Sequence, residues 1–223
     1  MEPLLLEALA VGPIQANCYI LGCPKTRQAL LIDPGEEPDT LASRLIRQDL
    51  RPVAYFHTHG HLDHVGATAA LKARFGGEIL LHRDDLHLYE HAHEHAREFG
   101  YEFPAPSPVD RFVDEGDEIV WGEARGAVLF TPGHSPGGIC LLVSGARMPQ
   151  PKRRGRAAGG GGTSAAAGPG GDAATAGAEA PPDGGSRAPA DWVFTGDALF
   201  QGSVGRTDLP GGSFDLLLRS IRE

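Results

Sequence analysis

The sequence predicts an α/β fold, because short apolar runs alternate with segments of helical periodicity along most of its 223 residues. The apolar runs are bounded by Gly, Pro, Asp or Asn, which is typical of buried strands. The segment 39–50 instead repeats its apolar residues at the spacing of one helix face. The composition agrees with a globular domain, since 41% of the residues are hydrophobic and 22% are charged.

The predicted elements follow in order along the chain. Strands are predicted over 17–21, 29–32, 53–57, 78–81, 117–121, 127–130, 139–143 and 191–195. Helices are predicted over 39–50, 66–75, 84–98 and 214–222. Pro52 ends the first helix, Gly76 and Gly77 close the second, and Ser213 is a suitable N-cap for the last. We therefore expect a single domain over residues 1–223.

The stretch 146–190 has a different composition from the rest of the chain. About two-thirds of it is Gly, Ala or Pro, without an apolar period, so we expect a low-complexity, disordered insert within the domain. It begins with a basic cluster at 152–156, and an alternative is that this cluster contacts an anionic partner. Since the insert lies between two predicted strands, a long surface loop is the simpler interpretation.

Charge and cysteine content narrow the class of partner. The formal net charge of −9 argues against nucleic acid or an anionic membrane as the main partner, but it does not identify a substrate, which we expect to be a small molecule. The three cysteines form no CxxC pair, so neither a cysteine zinc site nor a disulfide framework is expected. No signal-peptide pattern is present at the N-terminus, and cytoplasmic location is the expectation. The oligomeric state stays open.

The strongest functional motif is the run Thr58-His59-Gly60-His61-Leu62-Asp63-His64. It follows a predicted strand directly, and imidazole and carboxylate groups are the ligands that divalent transition metals prefer. Four such groups in six residues cannot share one helix face or one strand face. They fit a turn at the end of a strand, where ligands from one loop can surround two ions.

Two later turns offer further ligands. In the run from Thr131 to Gly138, Pro and Gly residues fix a turn that presents His134. A single histidine is usually structural, but the first motif lacks ligands that His134 can supply. In Thr195-Gly196-Asp197 an apolar strand ends at an aspartate, which either caps a turn or bridges two cations through its two oxygens.

These three segments resemble the metal-binding motifs of the metallo-β-lactamase superfamily, and in particular its glyoxalase II (hydroxyacylglutathione hydrolase)-like branch of the short bacterial type. The resemblance extends from Val11-Gly12-Pro13 to Gly205-Arg206-Thr207-Asp208 and skips the insert. It implies a four-layer αββα sandwich with the site at one edge. It also implies two divalent metals, expected to be zinc, with iron or manganese as alternatives.

The resemblance assigns a role to each ligand. One metal is expected to bind His59, His61 and His134, and the other Asp63 and His64, with Asp197 bridging the two. The family pattern supplies a further histidine from a Pro-Gly-His turn after Asp197, and no such turn follows here before Glu223. We therefore expect a C-terminally truncated form of the fold, a weaker second metal site and impaired activity.

The activity implied by the resemblance is metal-dependent hydrolysis, with thioesters such as hydroxyacylglutathione as the favoured substrates. Asp63 is expected to orient the nucleophilic water as well as to bind metal, and Arg206 is a candidate for holding an anionic substrate group, with a structural salt bridge as the alternative. A mononuclear-iron persulfide dioxygenase, a lactone or phosphodiester hydrolase and an inactive metal-binding remnant remain alternatives. Typical β-lactamases are disfavoured, because they usually carry cysteine where Asp197 stands.

Other histidines have simpler interpretations. His87, His91 and His95 are four residues apart on one predicted helix, which indicates either an extra metal site or a solvated, charged helix. His57 precedes the first motif and is a candidate partner for one of its ligands, whereas nothing in the pattern gives His82 a role.

Overall fold

The computed structural model describes residues 2–148 and 190–222, which form two sheets with helices outside them. The first sheet has strand order β1-β2-β3-β4-β5-β6, and its strands are Leu5–Val11, Ala16–Gly22, Gln28–Ile32, Arg51–Phe56, Glu78–Leu81 and Arg111–Phe112. Strands β1 to β3 pair antiparallel, and β3 to β6 pair parallel. The carboxyl ends of β3, β4 and β5 therefore meet at one edge of the sheet.

The second sheet is antiparallel throughout, in the order β10-β9-β8-β7. Its strands are β7 Glu118–Trp121, β8 Ala124–Phe130, β9 Ile139–Ala146 and β10 Ala190–Phe194. A two-stranded ribbon of β11 Leu199–Phe200 and β12 Ser203–Val204 follows. The strand pairing brings Ala146 opposite Ala190, so the chain leaves β9 and enters β10 at one place.

Helices cover the outer faces of both sheets, which gives the αββα layering. They are α1 Pro38–Arg47, α2 Leu62–Val65, α3 Thr68–Phe75, α4 Leu86–Glu98 and α5 Phe214–Arg222, with a 3₁₀ turn at Arg83–Asp85. Leu41, Leu71 and Tyr89 from α1, α3 and α4 join Leu31 and Tyr55 in a core on the outer face of the first sheet. A small cluster around Leu217 of α5 packs on the second sheet.

The main core lies between the two sheets. Leu30, Ile32 and Phe56 from the first sheet pack with Trp121 and Leu141 from the second. All five side chains are buried, and this burial is the largest favourable contribution to the folding of such a sandwich. Because both inner faces are apolar, the polar residues that could do chemistry lie at the sheet edge, where the strands end.

Most predicted elements are confirmed, with shifted ends, and some were missed. Strand β1 was not predicted, nor were the two-residue strands. The helix predicted over 66–75 begins at Thr68, and α2 precedes it, so Asp63 and His64 lie in a short helix rather than in a turn. The extended backbone of His61, which is the N-cap residue of α2, makes this possible in so few residues. Most of the predicted insert, residues 149–189, lies outside the described residues. No helix in the described part of the chain is long and apolar enough to cross a membrane.

Candidate metal centre

Three histidines converge at the edge where the strands of the first sheet end. His59 and His61 follow β4, and His134 comes from the loop between β8 and β9. The Nε2 atom of His134 lies 3.0 Å from Nδ1 of His61 and 3.3 Å from Nε2 of His59. At these distances the three imidazole rings cannot all be paired by hydrogen bonds to one another. One cation between them would instead bind a lone pair from each ring.

Burial and the neighbouring histidines keep His59 and His61 in the state that binds metal. Burial, followed by the neighbouring histidines, lowers the pKa of His59 well below its ordinary value, and it lowers the pKa of His61 to about 3. Both rings are therefore neutral at physiological pH. A neutral imidazole offers the lone pair that a divalent metal needs, so these two rings can bind a cation without prior loss of protons.

Neighbouring groups fix the orientation of the rings. Nδ1 of His134 donates a hydrogen bond of 2.8 Å to the backbone carbonyl of Arg206, which leaves Nε2 free to act as a ligand. Nδ1 of His59 lies 3.0 Å from the hydroxyl of Thr58. Gly205 lets the adjacent carbonyl of Arg206 come close to His134, because a Cβ atom at residue 205 would lie 1.8 Å from the carbonyl oxygen of Asp197. The backbone of residues 205 and 206 therefore packs directly against Asp197 and His134.

A second cluster lies beside the first. Nε2 of His64 is 3.4 Å from Oδ1 of Asp197 and 3.6 Å from Oδ2 of Asp63. The other oxygen of Asp197 lies 3.7 Å from Nε2 of His134, so this carboxylate faces both clusters. Burial alone would raise the pKa of Asp197, but the charge of His64 outweighs it and holds the pKa at about 2. Asp197 is therefore ionised and placed as a bridging ligand would be.

The fully buried carboxylate of Asp33 supports His64 from the opposite side. It follows β3, and Oδ2 lies 3.0 Å from Nδ1 of His64. Asp33 also accepts hydrogen bonds of 2.8 and 2.7 Å from the backbone N–H and the hydroxyl of Thr58. Although Asp33, His59 and His64 have ligand atoms within 4.8 Å of one another, these contacts already occupy both oxygens of Asp33, so we interpret it as an orienting group.

The second cluster also fits a cation. Among the described residues, the buried Nε2 atom of His64 makes no close hydrogen bond, although carboxylate oxygens of Asp197 and Asp63 face it at 3.4 and 3.6 Å. A cation between these atoms would satisfy all of them. Burial disfavours charge on this ring, but Asp63, Asp197 and Asp33 together raise the pKa of His64 well above its ordinary value. In the metal-free protein His64 is thus protonated, and a metal between His64 and the two facing carboxylates would replace that proton.

Comparison with known proteins decides the family. The profile described as "Metallo-beta-lactamase superfamily" matches residues 11–148. The chain belongs to the metallo-β-lactamase superfamily. The hydroxyacylglutathione hydrolase GloC of Haemophilus influenzae is 31% identical over 219 residues, which cover 97% of this chain and 82% of GloC.

Solved structures agree with that assignment. The B3 metallo-β-lactamase BLEG-1 superposes with a TM-score of 0.70 at 28% identity, covering 98% of this chain and 84% of BLEG-1. The di-iron-bound form of TTHA1623 superposes with a TM-score of 0.67 at 33% identity, covering 96% of this chain and 83% of that one. The sequence-based assignment to this superfamily and its fold is confirmed. The superfamily is one of metal-binding hydrolases, and the described residues contain a cluster of His and Asp side chains able to hold a metal.

The other residues that the sequence singled out lie outside the two ligand clusters. The guanidinium of Arg206 forms two hydrogen bonds of 2.8 and 2.9 Å with Asp208, and both side chains are largely exposed. The role of the Arg206 side chain in binding a substrate stays a prediction. The backbone carbonyl of the same residue orients His134. His57 is fully buried and contacts the hydroxyl of Thr68, and His82 stacks on Phe130.

The histidines of α4 form their own contacts. The rings of His87 and His91 are 4.3 Å apart, and Nδ1 of His91 donates to the backbone carbonyl of His87. In the described residues neither ring belongs to a group of three ligands able to surround an ion. A solvated helix remains the simpler interpretation of this stripe.

Sequence reasoning missed two buried carboxylates of the site, Asp33 and Asp85. Asp33 stands in the turn Asp33-Pro34-Gly35, where the sequence indicates only that the strand predicted over 29–32 ends. Asp85 follows β5 in a polar stretch that resembled the start of a helix. The available signal was position, since each follows a strand adjacent to β4, and parallel neighbours end at the same edge.

Proposed function

We propose that this protein is a thioesterase that hydrolyses small acylated thiols of the hydroxyacylglutathione type, with two zinc ions and an activated water. The observation that carries the proposal is the pair of ligand clusters joined by Asp197, which has one oxygen facing each cluster. The similarity to GloC, whose name specifies hydroxyacylglutathione hydrolysis, supports the choice of substrate.

The donor sets suit a pair of divalent metals. Nitrogen ligands from His59, His61 and His134 would hold one, and His64, Asp63 and Asp197 would hold the other. Mixed imidazole and carboxylate ligands accept zinc, iron or manganese, and the di-iron form of TTHA1623 supports iron as the main alternative. Bound there, such metals make hydroxide available near neutral pH and polarise a carbonyl group.

The protein's own residues supply orientation. The side chain of Asp63 is 17% exposed, so it is within reach of solvent at the mouth of the site. Its Oδ2 atom faces His64, and we assign Oδ1 to accept a hydrogen bond from the attacking water. Asp197 stays ionised and keeps His64 and His134 in place. A thiolate leaves without prior protonation, so this chemistry requires no general acid from the chain.

Hydrolysis of β-lactams is a second candidate, because BLEG-1 carries that activity in its name and superposes over nearly the whole chain. Both reactions attack an activated carbonyl with water. They differ in the leaving group, because opening a β-lactam releases an amine that needs a proton. Since the thioester reaction makes no such demand on the chain, we rank it first.

Purified full-length protein, depleted of metal and reloaded separately with Zn²⁺, Fe²⁺ or Mn²⁺, tests the proposal. We expect hydrolysis of S-lactoylglutathione, measured by release of free thiol, to return with metal. It should be absent in His134→Ala and retained in His82→Ala, which changes a buried histidine outside the clusters. β-Lactam opening without thioester hydrolysis would favour the second candidate. Oxygen uptake with glutathione persulfide, again without thioester hydrolysis, would overturn the proposal in favour of a dioxygenase.

A further inference from the structure

One fully buried carboxylate has no part in the chemistry proposed above. Asp85 lies at the end of the 3₁₀ turn between β5 and α4, with none of its surface exposed. Its Oδ2 atom accepts hydrogen bonds of 2.8 Å from the backbone N–H of Gly60 and of 2.8 Å from the hydroxyl of Ser135. Its Oδ1 atom accepts one of 2.6 Å from the backbone N–H of Gly137.

These three donors belong to the two loops that carry the three-histidine cluster. Gly60 stands between His59 and His61, and Ser135 directly follows His134. The loops come from different sheets, after β4 and after β8. Asp85 thus bonds to both halves of the cluster at once, through neighbours of its ligands rather than through the ligands themselves.

The contact is close as well as bonded. A Cβ atom on Gly60 would lie 2.8 Å from the backbone oxygen of Asp85, and one on Gly137 would lie 2.6 Å from its backbone nitrogen. Both loops are therefore seated directly on the backbone of residue 85. Burial raises the pKa of this carboxyl, and the three donors oppose that shift. A purely apolar core would avoid the desolvation of such a group, so its presence calls for a role.

We propose that Asp85 is a positioning residue that sets the distance between the two halves of the three-histidine site, and thereby its affinity for metal. This inference rests on the metal centre proposed above. An asparagine at residue 85 keeps the shape but offers one acceptor oxygen and an NH₂ group. The NH₂ group faces a donor in either orientation, so at least one backbone N–H of the two loops loses its bond.

The test compares Asp85→Asn with Asp110→Asn in the full-length chain. Asp110 is the control for loss of a carboxylate, because it also accepts a backbone N–H, that of Ile79 at 2.7 Å, and pairs with Lys72, but contacts neither metal loop. The measurements are the Zn²⁺ dissociation constant, obtained by competition with a chromogenic chelator, and the Tm of the metal-free protein. We expect Asp85→Asn to weaken zinc binding about 10–100-fold, as groups behind metal ligands do, and Asp110→Asn to leave it unchanged.

A structural role alone would lower the metal-free Tm without changing the dissociation constant, and that result would overturn the inference while the metal centre stands. If wild-type protein binds no zinc, both proposals fail together. Should Asp85→Asn fail to fold, Ser135→Ala decides the question, because it removes one bond and leaves the carboxylate. Several-fold weaker zinc binding in Ser135→Ala supports the positioning role, and unchanged binding refutes it.

Discussion

Replacing His134 by alanine should separate metal binding from folding. His134 is buried, it contributes one of three converging nitrogens, and it donates to the carbonyl of Arg206. In the metal-free protein the variant loses this hydrogen bond, which is worth about 1 kcal/mol, together with the packing of a buried ring. In the metal-loaded protein it also loses a ligand, which should weaken binding at least as much as the roughly 100-fold cost of changing a group behind a ligand.

The magnitude follows from linkage between binding and unfolding. At a free metal concentration of 1,000 times Kd, a single site stabilises the folded state by about 4.1 kcal/mol. A 100-fold weaker site at the same concentration contributes about 1.4 kcal/mol, so about 2.7 kcal/mol of metal-dependent stability is lost. For a domain of this size that is a fall of about 5–11 °C in the metal-loaded Tm, beyond a metal-free fall to which the hydrogen bond alone contributes about 2–4 °C.

Thermal unfolding of wild type, His134→Ala and His82→Ala, each with and without zinc, provides the assay. His82→Ala controls for the loss of a buried imidazole, because His82 packs on Phe130 outside both clusters. It should keep the full rise in Tm on addition of zinc. An equal rise in His134→Ala would show that this histidine is not a ligand, and it would refute the three-histidine site.

Three further predictions follow from the same contacts. In the first, residues 149–189 are deleted and the paired ends of β9 and β10 are joined by a short turn. The metal-free Tm and zinc binding should stay unchanged, and a large fall in Tm would contradict this. Gly205→Ala should lower turnover by about 10²-fold, because the alanine Cβ atom would push the backbone of Asp197 away from the site. Wild-type kinetics would show that residue 205 does not pack on Asp197. Asp33→Asn should weaken binding of the metal beside His64 about 10–100-fold and leave binding of the three-histidine metal unchanged. Metal content after dialysis measures this, and equal retention of both metals would count against an orienting role for Asp33.

The parts of the site that the sequence predicts are those encoded locally. His59, His61, Asp63 and His64 fall within six residues after a strand, so their proximity needs no knowledge of the fold. The sequence also identified the two later turns. The incomplete ligand set of the first motif linked His134 to it, and the resemblance to a family linked Asp197. Their convergence depends on the packing of the second sheet on the first, which no local pattern encodes.

The missed residues depend on strand order. Asp33 contacts Thr58 and His64, and Asp85 contacts Gly60 and Gly137, across 25 to 52 residues of chain. Single aspartates after strands are common as turn residues, so their spacing alone gives no signal. Once β3, β4 and β5 are known to be parallel neighbours, each aspartate must end at the same edge as the histidine motif. The information lies in the topology rather than in the motif.

The same topology explains how one hairpin can carry both a ligand and a long connection. The metal loop that bears His134 precedes β9 at Ile139, whereas residues 149–189 connect at the opposite end, after Ala146. An eight-residue strand at about 3.3 Å per residue separates these ends by roughly 23 Å. Strand β10 then runs back along β9 and delivers Asp197 to the site. The ligands lie at one end of the hairpin and the long connection joins the other end. Changes in the length or sequence of the connection therefore need not move any ligand.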